Sequence, residues 1–257
     1  MAMKPHGIMG RLLHRRALRR WNHASQIAGD AELSTLRAYR QQARQLRGPL
    51  QELLHVADNR LALPRIGSNT FARPSGTDWS WRPQLWRGPL PEQGVAPALN
   101  KSRLGTELAI FHDCPAQEIA LRQIRNTRDH DLAAFGVSLE VLHFEGSFLS
   151  LVVDLPPDVC DGLEKRHLIQ LSTVIEREAP ITIQARLNVK SGPNTDQILL
   201  PLPDQDGECD ISFDLAYSQL NEKRTSHMWI DLMFDAPSMT KTTLRDLTIC
   251  RHPRAAL

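Results

Sequence analysis

From residue 104 to the C-terminus the chain alternates apolar and polar positions. In Ile181-Thr182-Ile183-Gln184-Ala185-Arg186-Leu187-Asn188-Val189 every odd position is apolar. The same period of two recurs in Ile211-Ser212-Phe213-Asp214-Leu215 and in Ile230-Asp231-Leu232-Met233-Phe234. Successive side chains of a strand point to opposite faces, so each run predicts a strand with one face in a core. Ten strands are predicted, over 106–112, 118–125, 137–144, 147–155, 167–174, 181–189, 197–202, 210–216, 228–234 and 242–250. Turn residues separate them, among them Glu145-Gly146, Pro156-Pro157, Gly192-Pro193 and Asp206-Gly207. Short strands at that spacing predict an antiparallel β-sandwich of jelly-roll type over 104–257.

The first 60 residues follow a helical period instead. Leu13, Ala17 and Trp21 lie four apart with Leu18 beside them, while Arg11, Arg15, Arg16, Arg19 and Arg20 gather on the opposite side. Ile8 and Leu12 blur that separation. Next, Leu36, Tyr39, Ala43, Leu46, Leu50, Leu53 and Ala57 alternate three and four apart, an a/d heptad pattern. Gly48-Pro49 interrupts it, because proline cannot donate to the helical ladder. The heptad phase continues across the break, which favours one kinked helix over two. The two segments together predict a helical hairpin.

Residues 61–103 fit neither period. Six prolines and four glycines disfavour regular helix and central strand. Yet Trp79, Trp81 and Trp86 fall within eight positions there, too apolar for a solvated linker. The segment reads as an extended arm held to a folded surface by its aromatic side chains. The class is therefore α+β: a helical region over 1–60, a Trp/Pro-rich arm over 61–103 and a sandwich over 104–257.

Charge sharpens this division. The net charge of +2 conceals +7 over residues 1–60, +3 over 61–111 and −8 over 112–257. A basic front calls for an acidic partner: lipid headgroups, nucleic acid, another protein or the chain's own acidic half. No helix-turn-helix spacing, RNP signature or zinc motif favours nucleic acid. Arg15, Arg16, Arg19 and Arg20 are the candidate contacts to an acidic protein or an anionic membrane surface. The heptads also allow a homo-oligomer. Cys114, Cys160, Cys209 and Cys250 form no Cys-x-x-Cys pair, so four separate buried thiols are expected. With no secretory signal and no apolar run of the ~20 residues that span a bilayer, a cytoplasmic chain is expected, peripheral at the inner membrane in one reading.

Candidate chemistry is sparse. Gly-x-Ser-x-Gly, His-Glu-x-x-His, Walker and Gly-x-Gly-x-x-Gly patterns are all absent. His112, Asp113 and Cys114 are adjacent, but Pro115 makes a strand end the simpler reading. Glu140, Glu145, Asp154, Asp214 and Asp231 lie on or beside strands and include the acids that a glycoside-cleaving pair would need. Asp204 to Glu208 is acidic enough for calcium but reads as a polar hairpin loop. Gln184, Arg186 and Asn188 share the polar face of one strand, and Asn194 lies in the turn after it. That strip suits a ligand held by hydrogen bonds, with Trp79, Trp81 and Trp86 as candidate stacking surfaces. No catalytic residue, cofactor or metal is assigned.

The stretches Arg-Ile-Gly-Ser-Asn (65–69), Asp-Trp-Ser-Trp-Arg-Pro (78–83), Trp-Arg-Gly-Pro-Leu (86–90), Phe-His-Asp-Cys (111–114), Asn-Glu-Lys-Arg (221–224) and Thr-Leu-Arg-Asp-Leu-Thr (243–248) resemble an alphaproteobacterial family of uncharacterised proteins. That resemblance brings no activity and no catalytic residue. Met-Trp-Ile-Asp-Leu-Met-Phe and the Thr-Leu-Arg-Asp-Leu-Thr-Ile strand are similar to the closing strands of galactose-binding-like jelly rolls. Those domains include many glycan-binding modules, which implies a non-catalytic protein whose sandwich recognises a glycan. The alternative is a scaffold whose basic helices dock on an acidic partner. A carbohydrate-active enzyme with a carboxylate pair stands third.

Overall fold

The structure is a computed structural model, and it describes residues 8–61, 71–128, 130–220, 222 and 224–254. Arg-Ile-Gly-Ser-Asn (65–69) lies outside the described residues, as do Asn221 and Lys223. The chain forms two compact units, Met1–Leu54 and His55–Leu257. The arm from residue 71 onward falls in the second unit, with the sandwich.

Helices α1 (Ile8–Ile27) and α2 (Leu33–Leu61) form the hairpin, and α2 runs on past the end of the first unit at Leu54. Pro49 lies inside a continuous α2, so the second segment is one helix. Trp21 meets Tyr39 edge-on at 6.5 Å, and Arg20 Nη2 donates to Gln42 Oε1 at 2.8 Å. Ala24 is buried beside them. The heptad leucines do not pack further: Leu46, Leu50 and Leu53 are 45%, 53% and 63% exposed.

All ten predicted strands are present in the second unit: β4 (Leu108–His112), β5 (Ile119–Arg125), β6 (Phe135–Val141), β7 (Leu149–Asp154), β8 (His167–Arg177), β9 (Ile183–Ser191), β10 (Asn194–Pro201), β11 (Gly207–Asp214), β12 (Thr225–Phe234) and β13 (Thr240–Pro253). The arm adds three short strands that periodicity did not reveal: β1 (Trp79–Trp81), β2 (Gly94–Val95) and β3 (Arg103–Leu104). One sheet runs β11-β8-β13-β6-β5-β2, with β1 also on β13; the other runs β10-β9-β12-β7-β4-β3. Every pairing is antiparallel. Their inner faces share one core, with Leu171, Ile249 and Val137 from the first sheet against Leu187, Ile230 and Leu151 from the second. This is a β-sandwich of jelly-roll type preceded by two helices.

Strand β13 explains the arm. It has 14 residues and pairs with β8 along most of its length. On its other edge β6 covers only Thr240 to Leu244. Beyond that point the backbone of a buried strand needs other partners, because unpaired buried amides and carbonyls are costly. Strand β1 supplies them opposite Ile249, Cys250 and Arg251. The interval between is closed by side chains. Trp86 Nε1 donates to the Leu244 carbonyl at 3.2 Å, and Asn126 Nδ2 donates to the Arg245 carbonyl at 2.8 Å. The pairing with β8 slips between Leu244 and Asp246, a bulge at Arg245. Gly136 of β6 approaches that bulge so closely that a Cβ there would sit 2.7 Å from the Leu244 carbonyl oxygen.

The arm is fastened just after β1. Trp86, in the short helix α3 (Gln84–Arg87), is fully buried. Gln123 of β5 donates from Nε2 to the carbonyls of Leu85 and Gly88 at 2.6 and 2.8 Å and accepts from Leu90 N at 2.8 Å. Arg82 is also buried, and its Nη2 donates to Asp246 Oδ2 at 2.7 Å. Burial pushes the Asp246 carboxyl above the ordinary carboxylate range, against the pull of the Arg82 charge and hydrogen bond. At β1, burial also raises the Asp78 carboxyl, but the hydrogen bond and charge of Arg251 outweigh it, with help from His167, and the net direction is down. The Asp78 contribution to stability is therefore complete above the ordinary carboxylate range and fades as pH falls through the lowered value.

Truncating Trp86→Ala is expected to destabilise the protein by about 3–5 kcal/mol, read by urea unfolding. Arg82→Leu leaves the Asp246 charge buried without its partner, an expected loss of about 3–5 kcal/mol near neutral pH. A carboxyl whose folded pKa is raised gains stability as pH falls through that pKa. The Arg82→Leu deficit should therefore shrink in acid, as Asp246 takes up a proton. A deficit that stays constant from neutral to acid pH would rule out the buried charge as its cause.

Candidate functional site

The polar strip predicted on β9 lies on the outer face of the six-stranded sheet. Register builds a row across that face: Leu199, Arg186, Asp231, Val152, Ala109 and Arg103 are cross-strand neighbours in turn. A second row, one pair along, runs Gln197, Asn188, Trp229 and Asp154. Lys190 and His227 pair beyond it, and Gln184 and Met233 pair on the other side. All these side chains share one face because cross-strand partners point the same way.

Asp231 organises the face. It is only 3% exposed, and its Oδ2 accepts from Arg186 Nε at 2.8 Å, Arg186 Nη2 at 2.6 Å and Asn188 Nδ2 at 3.0 Å. Asn188 Oδ1 in turn accepts from Gln197 Nε2 at 3.0 Å. The hydrogen-bonded chain spans β10, β9 and β12 and holds each group in one orientation. Beside it the half-buried Trp229 ring lies nearly parallel to His227, with centroids 5.2 Å apart and planes 27° apart. Across Trp229, Asp154 accepts from Arg103 Nη2 at 2.8 Å and lies 3.6 Å from His227 Nε2. Arg103, Asp154, Arg186, His227, Trp229 and Asp231 line an open groove of about 920 Å³, which Phe111, Phe148, Ser150 and Lys190 also border. Ser150 Oγ is buried there with no hydrogen-bond partner.

The structure brings Gln184, Arg186 and Asn188 together as one face. Asn194 does not join them. It pairs with Ser191 at the hairpin, one register position off the strip, and so points to the opposite side. The three tryptophans lie elsewhere as well. Trp86 is sealed in the core, so it has no surface to offer a ligand. Trp79 and Trp81 stack with centroids 6.5 Å apart, but they sit on β1 in the other sheet and pack on the core. Arg15, Arg16, Arg19 and Arg20 are exposed on α1.

The other candidate groups have local structural partners. His112 Nδ1 accepts from Cys114 N at 3.2 Å and its Nε2 lies 3.0 Å from the Ala98 carbonyl oxygen, so both ring nitrogens face backbone. Asp113 takes the amides of Ser147 and Phe148. Glu140 pairs with Arg122 and Lys241, Glu145 with His143 and Asp214 with Arg254. Asp206 accepts from Arg177 N at 2.9 Å. Sequence reasoning passed over Trp229. The available signal was its parity: His227, Trp229, Asp231 and Met233 alternate with the core residues Met228, Ile230 and Leu232.

The architecture is similar to that of several solved structures. A family 11 carbohydrate-binding module from Clostridium thermocellum, in complex with a beta-1,3-1,4-mixed-linked tetrasaccharide, matches 61% of this chain and 96% of its own at 11% identity and a TM-score of 0.38. The CBM22-1 xylan-binding domain from Paenibacillus barcinonensis matches over 63% and 94%, at 10% identity and a TM-score of 0.34. The enzymatically active domain of tailspike protein 4 from bacteriophage CBA120 matches over 62% of this chain but 22% of its own, at 9% identity and a TM-score of 0.41. At such identities the likeness concerns the fold alone. No curated protein matches the sequence. What the sequence does match, over residues 1–257, is a family of unknown function, DUF6478, and the chain belongs to it.

Proposed function

We propose that the protein is a non-catalytic binding protein whose six-stranded sheet face recognises a saccharide. The observation that carries this reading is the half-buried Trp229 ring set in an open groove beside a hydrogen-bonded carboxylate–guanidinium ladder. A pyranose ring presents an apolar C–H face and a rim of hydroxyls. Trp229 with His227 offers a flat apolar surface for the first. Arg186, Gln184 and Lys190 donate to the second, and Asp154 and Asp231 accept from it. Orientation costs are small because Asp231, Asn188, Arg186 and Gln197 already hold one another. Asp231 Oδ2 accepts from Arg186 and Asn188, and Asp154 Oδ2 accepts from Arg103, so both carboxylates are held in place by their partners.

A glycan array followed by titration calorimetry tests the reading. At least one soluble oligosaccharide should bind, and Trp229→Ala should weaken it tenfold or more with melting little changed. Trp79→Ala with Trp81→Ala should do the reverse, lowering the melting temperature while leaving affinity intact. An array without a single saccharide ligand would sink the proposal, and so would undiminished binding by the Trp229 variant.

A further inference from the structure

We infer that the groove on the six-stranded sheet takes a neutral, linear oligosaccharide laid along β12 from Trp229 toward Phe148, rather than a single sugar; this rests on the proposed saccharide function of that face. Register sets Trp229 level with Asp154, Asp231 with Val152 and Met233 with Ser150. Phe148 lies two positions beyond Ser150, immediately before β7, and lines the same groove. It is 48% exposed, so packing in the core does not account for it. Six residues of chain separate Phe148 from Asp154, about 20 Å at the rise of an extended strand. Phe111, opposite Ser150, stands on the way. A single pyranose ring covers one of the two end rings and cannot reach the other. Sugars at both ends of that ~20 Å require a chain of about four linked units.

The turn that carries Phe148 is fastened. Asp113 Oδ1 accepts from Ser147 N at 2.7 Å and from Phe148 N at 3.2 Å, and its Oδ2 accepts from Ser147 Oγ at 2.6 Å. A Cβ at Gly146 would collide with the same carboxylate, so the turn closes tightly on Asp113. The backbone under the ring is thereby fixed in advance, which keeps the ordering cost of binding low. Between the two aromatic ends the groove is lined by Val152, Ser150 and Ala109, short side chains that leave depth for a chain of sugars. Charge then selects the kind of sugar. The lining holds three basic side chains, Arg103, Arg186 and Lys190, and three carboxylates, Asp154, Asp231 and Asp235. Arg186 is bound to Asp231 and Arg103 to Asp154. Lys190 and Asp235 lie toward opposite ends, since Lys190 pairs with His227 and Asp235 follows Phe234. An acidic sugar would meet a carboxylate beside each of those guanidinium groups. The hydroxyls of a neutral sugar can accept from the one and donate to the other.

Titration calorimetry with the full chain reads the length dependence. The probes are mono- to hexasaccharide series of neutral gluco-, xylo-, manno- and galacto-oligosaccharides, with oligogalacturonates as the acidic series. In at least one neutral series, affinity should rise about tenfold or more from disaccharide to tetrasaccharide and then level off. Phe148→Ala should remove that gain and bring the tetrasaccharide down to the disaccharide level, with disaccharide binding and melting unchanged. Phe148→Trp should keep the gain, and Trp229→Ala should weaken every length. Affinity that does not grow with length overturns the inference and leaves the saccharide reading standing. So does a Phe148→Ala variant that holds the tetrasaccharide as tightly as the wild type does. Tighter binding of oligogalacturonates than of every neutral series overturns the choice of a neutral ligand. Absence of binding in all the series overturns the saccharide reading itself, and the inference with it.

Discussion

Strand β13 is much longer than the strand beside it, and the rest of the sandwich unit is arranged around that mismatch. A 14-residue strand buried between two neighbours must find partners for its backbone along both edges. On one edge β8 does this almost alone. On the other, β6 stops at Leu244, and the arm continues the pairing with β1 and the Trp86 indole, while the buried Arg82 holds the Asp246 side chain. The three tryptophans thus serve as a strand and a plug. Their size suits the task, since each indole can bury roughly 150–250 Å² without help from regular structure.

The outer face of the six-stranded sheet carries the polar strip. Its polar residues are not merely solvated. Asp231, Asn188 and Gln197 form a network across three strands, and buried networks of this kind fix geometry when every member is satisfied. The hydroxyl of Ser150, buried between its cross-strand neighbours Phe111 and Met233, has no hydrogen-bond partner. The face thus combines rigid polar groups with a flat aromatic surface. The helical unit has the opposite character. Among its described residues, Leu13, Leu18, Leu46, Leu50 and Leu53 and the arginines of α1 and α2 are exposed.

Much of this was legible in the residues. The period of two located all ten long strands, since burial of one sheet face repeats every second position. The period near 3.5 located both helices, and the unbroken heptad phase across Gly48-Pro49 marked one helix. Gln184, Arg186 and Asn188 were recognisable as one face for the same reason. The short strands β1 to β3 were not recognisable, because two or three residues carry no period. Trp86 could not be told from a ligand platform, since an aromatic residue among prolines reads alike whether it faces a groove or a core.

What the sequence determined by itself is therefore local: which residues are helical, which are extended and which side each points to. Backbone geometry and the hydrophobic pattern set these within a few residues of chain. The tertiary structure decided which strands meet. Register placed Asp231 between Arg186 and Val152, set Trp229 between Asn188 and Asp154, and sent the arm's tryptophans to the other sheet. Those neighbours come from positions about 40 to 170 residues apart, and no local pattern reports on them. Only the pairing of whole strands around one shared core does.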